Sequence, residues 1–228
     1  MLRKLGGFVS DKWDTLRGIP EYDHQFPIFG LDAAGKSTLL YRLFYSEHVL
    51  TLPDHGFRTE TVSVPNYYYY YPGEGGQGRD SRKELRFRLW DVAGQVGIIP
   101  LWRVYVNEMK AKGVIFVVDS TDRQRLLYTK NALWRLFGHY DDTEAGRELV
   151  LLVFANKQDQ EDAMTVMEVM YGLDLEGLAA RALRGQGGRR WHIRGTVATT
   201  GEGLVEGLLW LDVQLRGGRS QGEGQTKQ

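Results

Sequence analysis

Short apolar runs rich in β-formers alternate along the chain with segments whose apolar positions recur three and four apart. The runs at 24–29, 57–71, 84–90, 114–119, 149–155 and 190–196 predict six strands. Helices are expected to begin near Lys36, Arg123, Glu161 and Glu202. In the last of these, Leu204, Leu208, Leu211 and Leu215 share one face, behind an expected cap at Thr200. Strands alternating with helices predict an α/β domain whose mainly parallel sheet is covered on both faces. Pro27 falls in the first strand and removes one ladder donor, which predicts a local irregularity. The longest apolar runs, at 149–155 and 114–118, are far shorter than the roughly 18 residues of a membrane span, so they read as buried strands.

Three segments look added to this core. Tyr67, Tyr68, Tyr69, Tyr70 and Tyr71 lead into a Gly-rich stretch, lengthening a hairpin between strands 2 and 3 over an insertion of about 67–83. Alternate strand residues face opposite ways, so five consecutive tyrosines cannot all enter a core, and contact with a protein partner is one expectation. A second insertion, about 181–190, opens a stretch from Arg181 to Arg194 that holds five arginines and no acid, Arg184, Arg189 and Arg190 included. A solvated loop is the default there and an anionic partner the alternative. Residues 217–228 have the composition of a flexible tail.

At the other end, Leu2, Leu5, Val9, Trp13 and Leu16 follow the period of one helix face, although Gly6 and Gly7 each weaken such a helix by about 1 kcal/mol. This amphipathic segment, 1–23, suits a membrane surface, a groove on this or another protein, a short mitochondrial presequence or a packed terminal helix. The lack of a long apolar stretch argues against a secretory signal. Composition narrows the chemistry further. Over 228 residues, 29 basic side chains balance 29 acidic ones, which argues against a general nucleic-acid binder. With no cysteine there is no disulfide framework, thiol nucleophile, Cys-ligated metal, or palmitoyl or prenyl attachment.

The densest chemistry lies at Gly30-Leu31-Asp32-Ala33-Ala34-Gly35-Lys36-Ser37-Thr38, a G-x-x-x-x-G-K-[ST] loop that follows a strand and opens a helix. Glycines let backbone N–H groups curl around phosphates, and the helix N-terminus adds its positive end. Lys36 would neutralise β- and γ-phosphates, and Ser37 offers a hydroxyl to Mg²⁺. Downstream, Asp91-Val-Ala-Gly94-Gln95 supplies a D-x-x-G-Q sequence. Asp91 would hold Mg²⁺, through water; Gly94 can give its N–H to a γ-phosphate, and Gln95 can orient an attacking water. Asn156-Lys157-Gln158-Asp159 is the N-K-x-D pattern that reads guanine. Asp159 can accept from the ring N–H and the exocyclic amine of guanine, donors that adenine lacks in that geometry. The stem of Lys157 would cover the base while Asn156 braces the loops. Ala198, followed by Thr199 after the last strand, is placed to give its N–H to the guanine oxygen.

In this order the three motifs resemble a small GTPase, and GLDAAGKST, WDVAGQ, PLWRVY, VIFVVDS, LLVFANKQD and TTGEGLVEGLLWL are similar to signatures of the ADP-ribosylation factor (Arf) family over about residues 26–216. The resemblance implies a P-loop GTPase fold, a mostly parallel six-stranded sheet with helices on both faces, bound GTP or GDP, and Mg²⁺. It also matches Phe57, Trp90 and Tyr105 to the aromatic triad with which Arf proteins contact effectors, with packing of sheet and switch as the alternative role.

Two departures qualify it. Asp54 stands where the family carries the switch threonine that binds Mg²⁺ and γ-phosphate. A carboxylate there is either a hard metal ligand or, without the metal, repelled by the phosphate by about 4 kcal/mol at roughly 4 Å and an effective dielectric near 20. Leu2 replaces the glycine that family members acylate, so membrane contact is expected to be weak or indirect. The expected organisation is an N-terminal segment 1–23, an Arf-like GTPase domain 24–216 and the tail. The expected function is a GTP/GDP switch, intracellular and either cytoplasmic or peripheral to a membrane, hydrolysing GTP slowly or with a partner's help. A nucleotide-holding structural subunit of a larger assembly, with a mitochondrial setting, is the alternative.

Overall fold

The computed structural model describes residues 24–45, 57–65, 84–138, 140, 148–181 and 189–217. The N-terminal segment, Asp54, the tyrosine run with its Gly-rich tip, Arg184 and the tail beyond residue 217 lie outside these residues. The strands are β1 (His24–Phe29), β2 (Phe57–Pro65), β3 (Glu84–Val92), β4 (Gly113–Asp119), β5 (Val150–Asn156) and β6 (Trp191–Gly195). They form one six-stranded sheet in the order β2-β3-β1-β4-β5-β6. β2 runs antiparallel to β3, in register from Phe57 opposite Val92 to Pro65 opposite Glu84. All other pairings are parallel. The expected α/β architecture and strand count are therefore observed. Pro27 lies opposite Trp90 of β3, while on the β4 side pairing is confined to Ile28 and Phe29, the two residues after the proline.

Helices cover both faces, and the alternation along the buried strands divides the core between them. Val114, Phe116 and Val118 of β4 and Leu151 and Val153 of β5 point to one face. There they meet α2 (Trp102–Glu108), α3 (Leu126–Gly138), α4 (Val166–Leu173) and α5 (Leu175–Arg181). Ile115 and Val117, with Leu152 and Phe154, point to the other face, against Leu39 and Leu40 of α1 (Lys36–Tyr45) and Leu204, Leu208 and Leu211 of α6 (Leu204–Gly217). α2 and α5 are short helices without a strong sequence signal.

Three helices start later than the periodicity predicts, and local bonds at the preceding turns explain the delay. Before α3, Asp119 accepts from the backbone N–H and hydroxyl of Thr121, and Asp122 accepts from the Arg125 N–H. Such local bonds hold the backbone out of helix until Leu126. α4 begins at Val166 rather than near Glu161 because Thr165 and Glu168 form a reciprocal capping box. The Glu168 carboxyl is drawn down to about 2 by the Arg123 guanidinium and then by the Thr165 N–H and hydroxyl. α6 begins at Leu204 because Val197 bridges to Glu202, and Gly201 and Gly203 have positive φ. Thr200 is thus no cap: its hydroxyl donates to the Val197 carbonyl at 3.3 Å and accepts from Glu202 N–H at 3.4 Å, bracing the turn.

Trp102 is the hinge between core and the D-x-x-G-Q segment. Its side chain is 0% exposed, stacks on Phe29 at 4.9 Å, meets Phe116 edge-on at 5.9 Å and donates from Nε1 to the Ala93 carbonyl at 3.2 Å. Trp102→Ala is expected to lower unfolding free energy by about 3–5 kcal/mol. The shift of the urea midpoint at unchanged slope measures this.

Candidate functional site

Every parallel strand delivers a functional loop to the same place, the carboxyl edge of the sheet, as expected for ligand sites in open α/β folds. β1 leads to residues 30–35 and the N-terminus of α1, β3 to Asp91–Gln95, β4 to 119–125, β5 to 156–159 and β6 to 196–199. The G-x-x-x-x-G-K-S segment is thus a strand–loop–helix unit. Gly35 has φ +94°, and a Cβ there would lie 2.3 Å from Asn156 Nδ2, so only glycine lets the loop close onto β5. Gly94 is required for a different reason. A Cβ on it would stand 2.1 Å from the Gly30 carbonyl oxygen and 2.7 Å from Asp32 N, so the D-x-x-G backbone rests directly on the phosphate loop.

Lys36 is 7% exposed and donates from Nζ to the Leu31 carbonyl at 2.8 Å. Burial lowers its pKa, against the opposing pull of Asp91 and then Asp32. An ammonium held under a loop of N–H groups is the chemistry of a phosphate cradle. Ser37 Oγ donates to Asp91 Oδ2, so two of the three residues expected to serve a metal are in contact although 54 positions apart. A hydroxyl beside a carboxylate at the phosphate loop is a hard-oxygen donor set and fits Mg²⁺. β3 extends to Val92, two residues beyond its expected end, which puts Asp91 on the strand itself. Gln95 opens the next turn, its carbonyl accepting from Ile98 N–H at 2.8 Å and Ile99 N–H at 3.2 Å.

The base side is tied to the phosphate side by one buried amide. Asn156, 1% exposed, donates from Nδ2 to the Ala34 carbonyl at 2.9 Å and accepts on Oδ1 from the Ala198 N–H at 2.9 Å and the Thr196 hydroxyl at 3.4 Å. The expected bracing role is present in the geometry. The Ala198 N–H, expected to face a guanine oxygen, is instead given to Asn156. Thr199 beside it is exposed. Lys157 has φ +68° and its Nζ lies 2.5 Å from Asp119 Oδ2. Asp159 is exposed and accepts from Gln160 Nε2 at 2.8 Å.

Sequence reasoning assigned no role to the loop after β4, although its Asp-Ser-Thr-Asp-Arg composition at a strand end was a signal. Asp119 holds Lys157, Ser120 Oγ accepts from Gln158 Nε2 at 2.9 Å, and Arg125 Nη1 reaches Asp32 Oδ1 at 2.8 Å. Trp90 is buried in the sheet core, with Nε1 donating to Gln25 Oε1 at 3.2 Å, and Tyr105 is half-buried against the same core, so the packing role given as the alternative for the aromatic triad is present for these two members. The arginine block is no free basic loop in its described part. Arg189 is 3% exposed and lies 4.1 Å over the Phe137 ring, and Arg181 stands 5.2 Å over Trp134. Arg190 donates to the Gln214 and Glu148 carbonyls, and Arg194 approaches Glu206 at 3.9 Å.

A phosphate loop, a D-x-x-G-Q turn and an N-K-x-D turn at one edge of this sheet define a GTP-binding small GTPase. The sequence matches the ADP-ribosylation factor family over residues 15–215, and the chain belongs to that family. Among solved structures it is similar to the Arl6 (BBS3) small GTPase of Trypanosoma brucei with the nucleotide analogue GppNp bound. The two share 27% identity over 85% of this chain and 98% of that one, with a TM-score of 0.63. No helix of the described residues is long and apolar enough to cross a membrane.

The Asp119 carboxyl gives the site an acid dependence. Burial raises its pKa, but hydrogen bonds from Lys157 and Thr121 and the Lys157 charge outweigh it, so the net shift is downward. A depressed native pKa adds stability that is present above the ordinary carboxylate range and lost as pH falls through the native value. Asp119→Asn should cost about 1–3 kcal/mol at neutral pH, with the deficit shrinking below about pH 4. Urea unfolding of both proteins between pH 7 and pH 3 measures the convergence.

Proposed function

We propose that this protein is a guanine-nucleotide switch whose GTP hydrolysis is slow or dependent on a partner. The observation that carries the reading is the Asn156 bridge, which fixes the phosphate loop through Ala34 and the 196–199 loop through Ala198 while its own turn presents Lys157 and Asp159. The N–H groups of Asp32, Ala33, Ala34, Gly35, Lys36, Ser37 and Thr38 would surround the phosphates. Lys36 exchanges the Leu31 carbonyl for a phosphate oxygen, which relieves the desolvation of its ammonium. The Asp159 carboxylate accepts both guanine donors, and the Lys157 stem lies against the base. When bound, Mg²⁺ supplies charge neutralisation at the phosphates, and Ser37 and Asp91, with Asp54, are the residues to hold it.

In hydrolysis Gln95 orients a water in line with the γ-phosphorus, and the Gly94 N–H donates to a γ-phosphate oxygen. The water oxygen bonds to phosphorus, the bond to the β–γ bridging oxygen breaks, and GDP leaves with that electron pair while the proton passes to the released phosphate. A partner's arginine would accelerate the step. Asp54 supports the slow rate, because a carboxylate in the switch position that does not reach the metal is repelled by the γ-phosphate and opposes the ordering this phosphate normally induces. The same residue also favours a second reading, a protein that holds its nucleotide as a structural element in a larger assembly. In either reading the working unit is the domain 24–216, the tyrosine hairpin is a surface for a protein partner, and any membrane contact is peripheral.

Nucleotide released from the purified protein is expected to be GDP or GTP, and adenine nucleotide in its place would overturn the reading. Asp159→Ala should weaken GTP binding about a hundredfold or more while leaving the weak binding of ATP unchanged. Single-turnover hydrolysis should be slow in the parent and faster in Asp54→Thr. An ordinary rate that is indifferent to Asp54→Thr would remove the argument for slow turnover. Nucleotide that neither exchanges nor is hydrolysed favours the structural reading.

A further inference from the structure

Asp32 places a carboxylate within the phosphate loop, three residues before Gly35 and four before Lys36. A like charge at that place works against a phosphate ligand in two ways. It repels the phosphates directly, and turned inward it would compete with them for the Lys36 ammonium. The loop therefore needs this carboxylate held to one side. Arg125 supplies the hold from a separate element, 93 positions away: Nη1 donates to Asp32 Oδ1 at 2.8 Å and Nη2 to the Asp32 carbonyl at 3.5 Å. Its Nε donates at 2.5 Å to Asp122 Oδ2, and Asp122 Oδ1 in turn accepts the Arg125 N–H at 3.1 Å. One planar fork thus spans two carboxylates. Asp122 sets the guanidinium plane, and the outer nitrogens engage both the side chain and the backbone of Asp32.

The exposure of this arrangement argues for function over folding. The Arg125 and Asp32 side chains are 40% and 64% exposed, and ion pairs so open to water contribute little to stability. A surface pair that adds little to the fold but fixes a carboxylate beside a phosphate cradle acts on the cradle. We propose that Arg125 is a positioning residue for nucleotide binding: it holds the Asp32 carboxylate toward the loop after β4, so that Lys36 and the loop N–H groups are left to the phosphates. The inference rests on the guanine-nucleotide reading above. It predicts that Arg125 matters only through Asp32, and that lysine cannot replace it, since one ammonium cannot bridge two carboxylates in the fork geometry.

Dissociation constants for GDP and GTP, from a fluorescent nucleotide on the full chain, test this across the parent, Arg125→Gln, Arg125→Lys, Asp32→Ala and the Arg125→Gln/Asp32→Ala double variant. Thermal unfolding is followed in parallel without added nucleotide. Arg125→Gln and Arg125→Lys should each weaken binding about three- to tenfold, with the unfolding midpoint shifted by no more than about 3 °C. In the Asp32→Ala background, Arg125→Gln should cost less than about twofold, the coupling expected of residues that act as one unit. Equal losses from Arg125→Gln in both backgrounds would overturn the proposal, as would full affinity in Arg125→Gln or restoration by Arg125→Lys. If Arg125→Gln does not fold, an Arg125→Lys/Asp32→Ala double variant set against the two single variants reads the coupling in its place, and equal losses from Arg125→Lys in both backgrounds overturn the proposal. A parent chain that binds no guanine nucleotide overturns the nucleotide reading itself, an outcome separate from parent binding with indifferent variants.

Discussion

The buried amide of Asn156 is the constraint on which the site depends. Both ends of this side chain are engaged inside the protein, Nδ2 by the Ala34 carbonyl and Oδ1 by the Ala198 N–H and the Thr196 hydroxyl. An amide so buried is costly to leave unpaired, so the three bonds hold the phosphate loop and the loop after β6 at fixed distances from the end of β5. The Asn156 backbone adds a fourth tie, its carbonyl accepting from Ser120 N–H at 3.0 Å. Three loops from three strands are thus registered on one residue. Gly35 belongs to the same device, because any side chain there would collide with the Asn156 amide.

What makes this registration possible is the stiffness of the strands beneath it. β5 is buried along its whole length, and its partners β4 and β6 are in continuous register, with Asp119 opposite Asn156 and Gly195 opposite Ala155. The two apolar faces require opposite sets of residues, so a shift of one position would send every side chain to the wrong side. Register is therefore set by the core, and the loop spacings at the carboxyl edge follow from register. The functional loops inherit their precision from hydrophobic packing they do not themselves contribute to.

The same division explains what the sequence made legible. Strand positions, the α/β order and the three nucleotide motifs could be read because each rests on local pattern: a run of apolar residues, or residue types whose spacing is set by one turn. Helix starts were misplaced at α3, α4 and α6 because Asp119, Asp122, Thr165 and Val197 engage nearby backbone in ways that periodicity does not encode. The arginine block misled for a related reason. Composition counts charge, but Arg189 lies over Phe137 and Arg190 reaches carbonyls from α6 and from before β5, partners fixed only by tertiary structure.

The base side of the site has a sharper logic than the motif alone conveys. Had the Ala198 N–H been free, two groups would discriminate guanine, one at its oxygen and one at its donors. Here that N–H is committed to Asn156, and a guanine oxygen can obtain it only by sharing the hydrogen bond that secures the loop. Sharing weakens the interaction, so in the proposed reading most discrimination falls to Asp159. Its carboxylate is well suited to that task, being exposed and engaged by the neighbouring Gln160 amide, which a pair of purine donors can displace. Lys157, by contrast, is held by Asp119 and cannot follow the base. In that reading a fixed lysine stem beside an accessible carboxylate would give selectivity by unpaired charge, because a base lacking both donors would leave Asp159 desolvated without a partner.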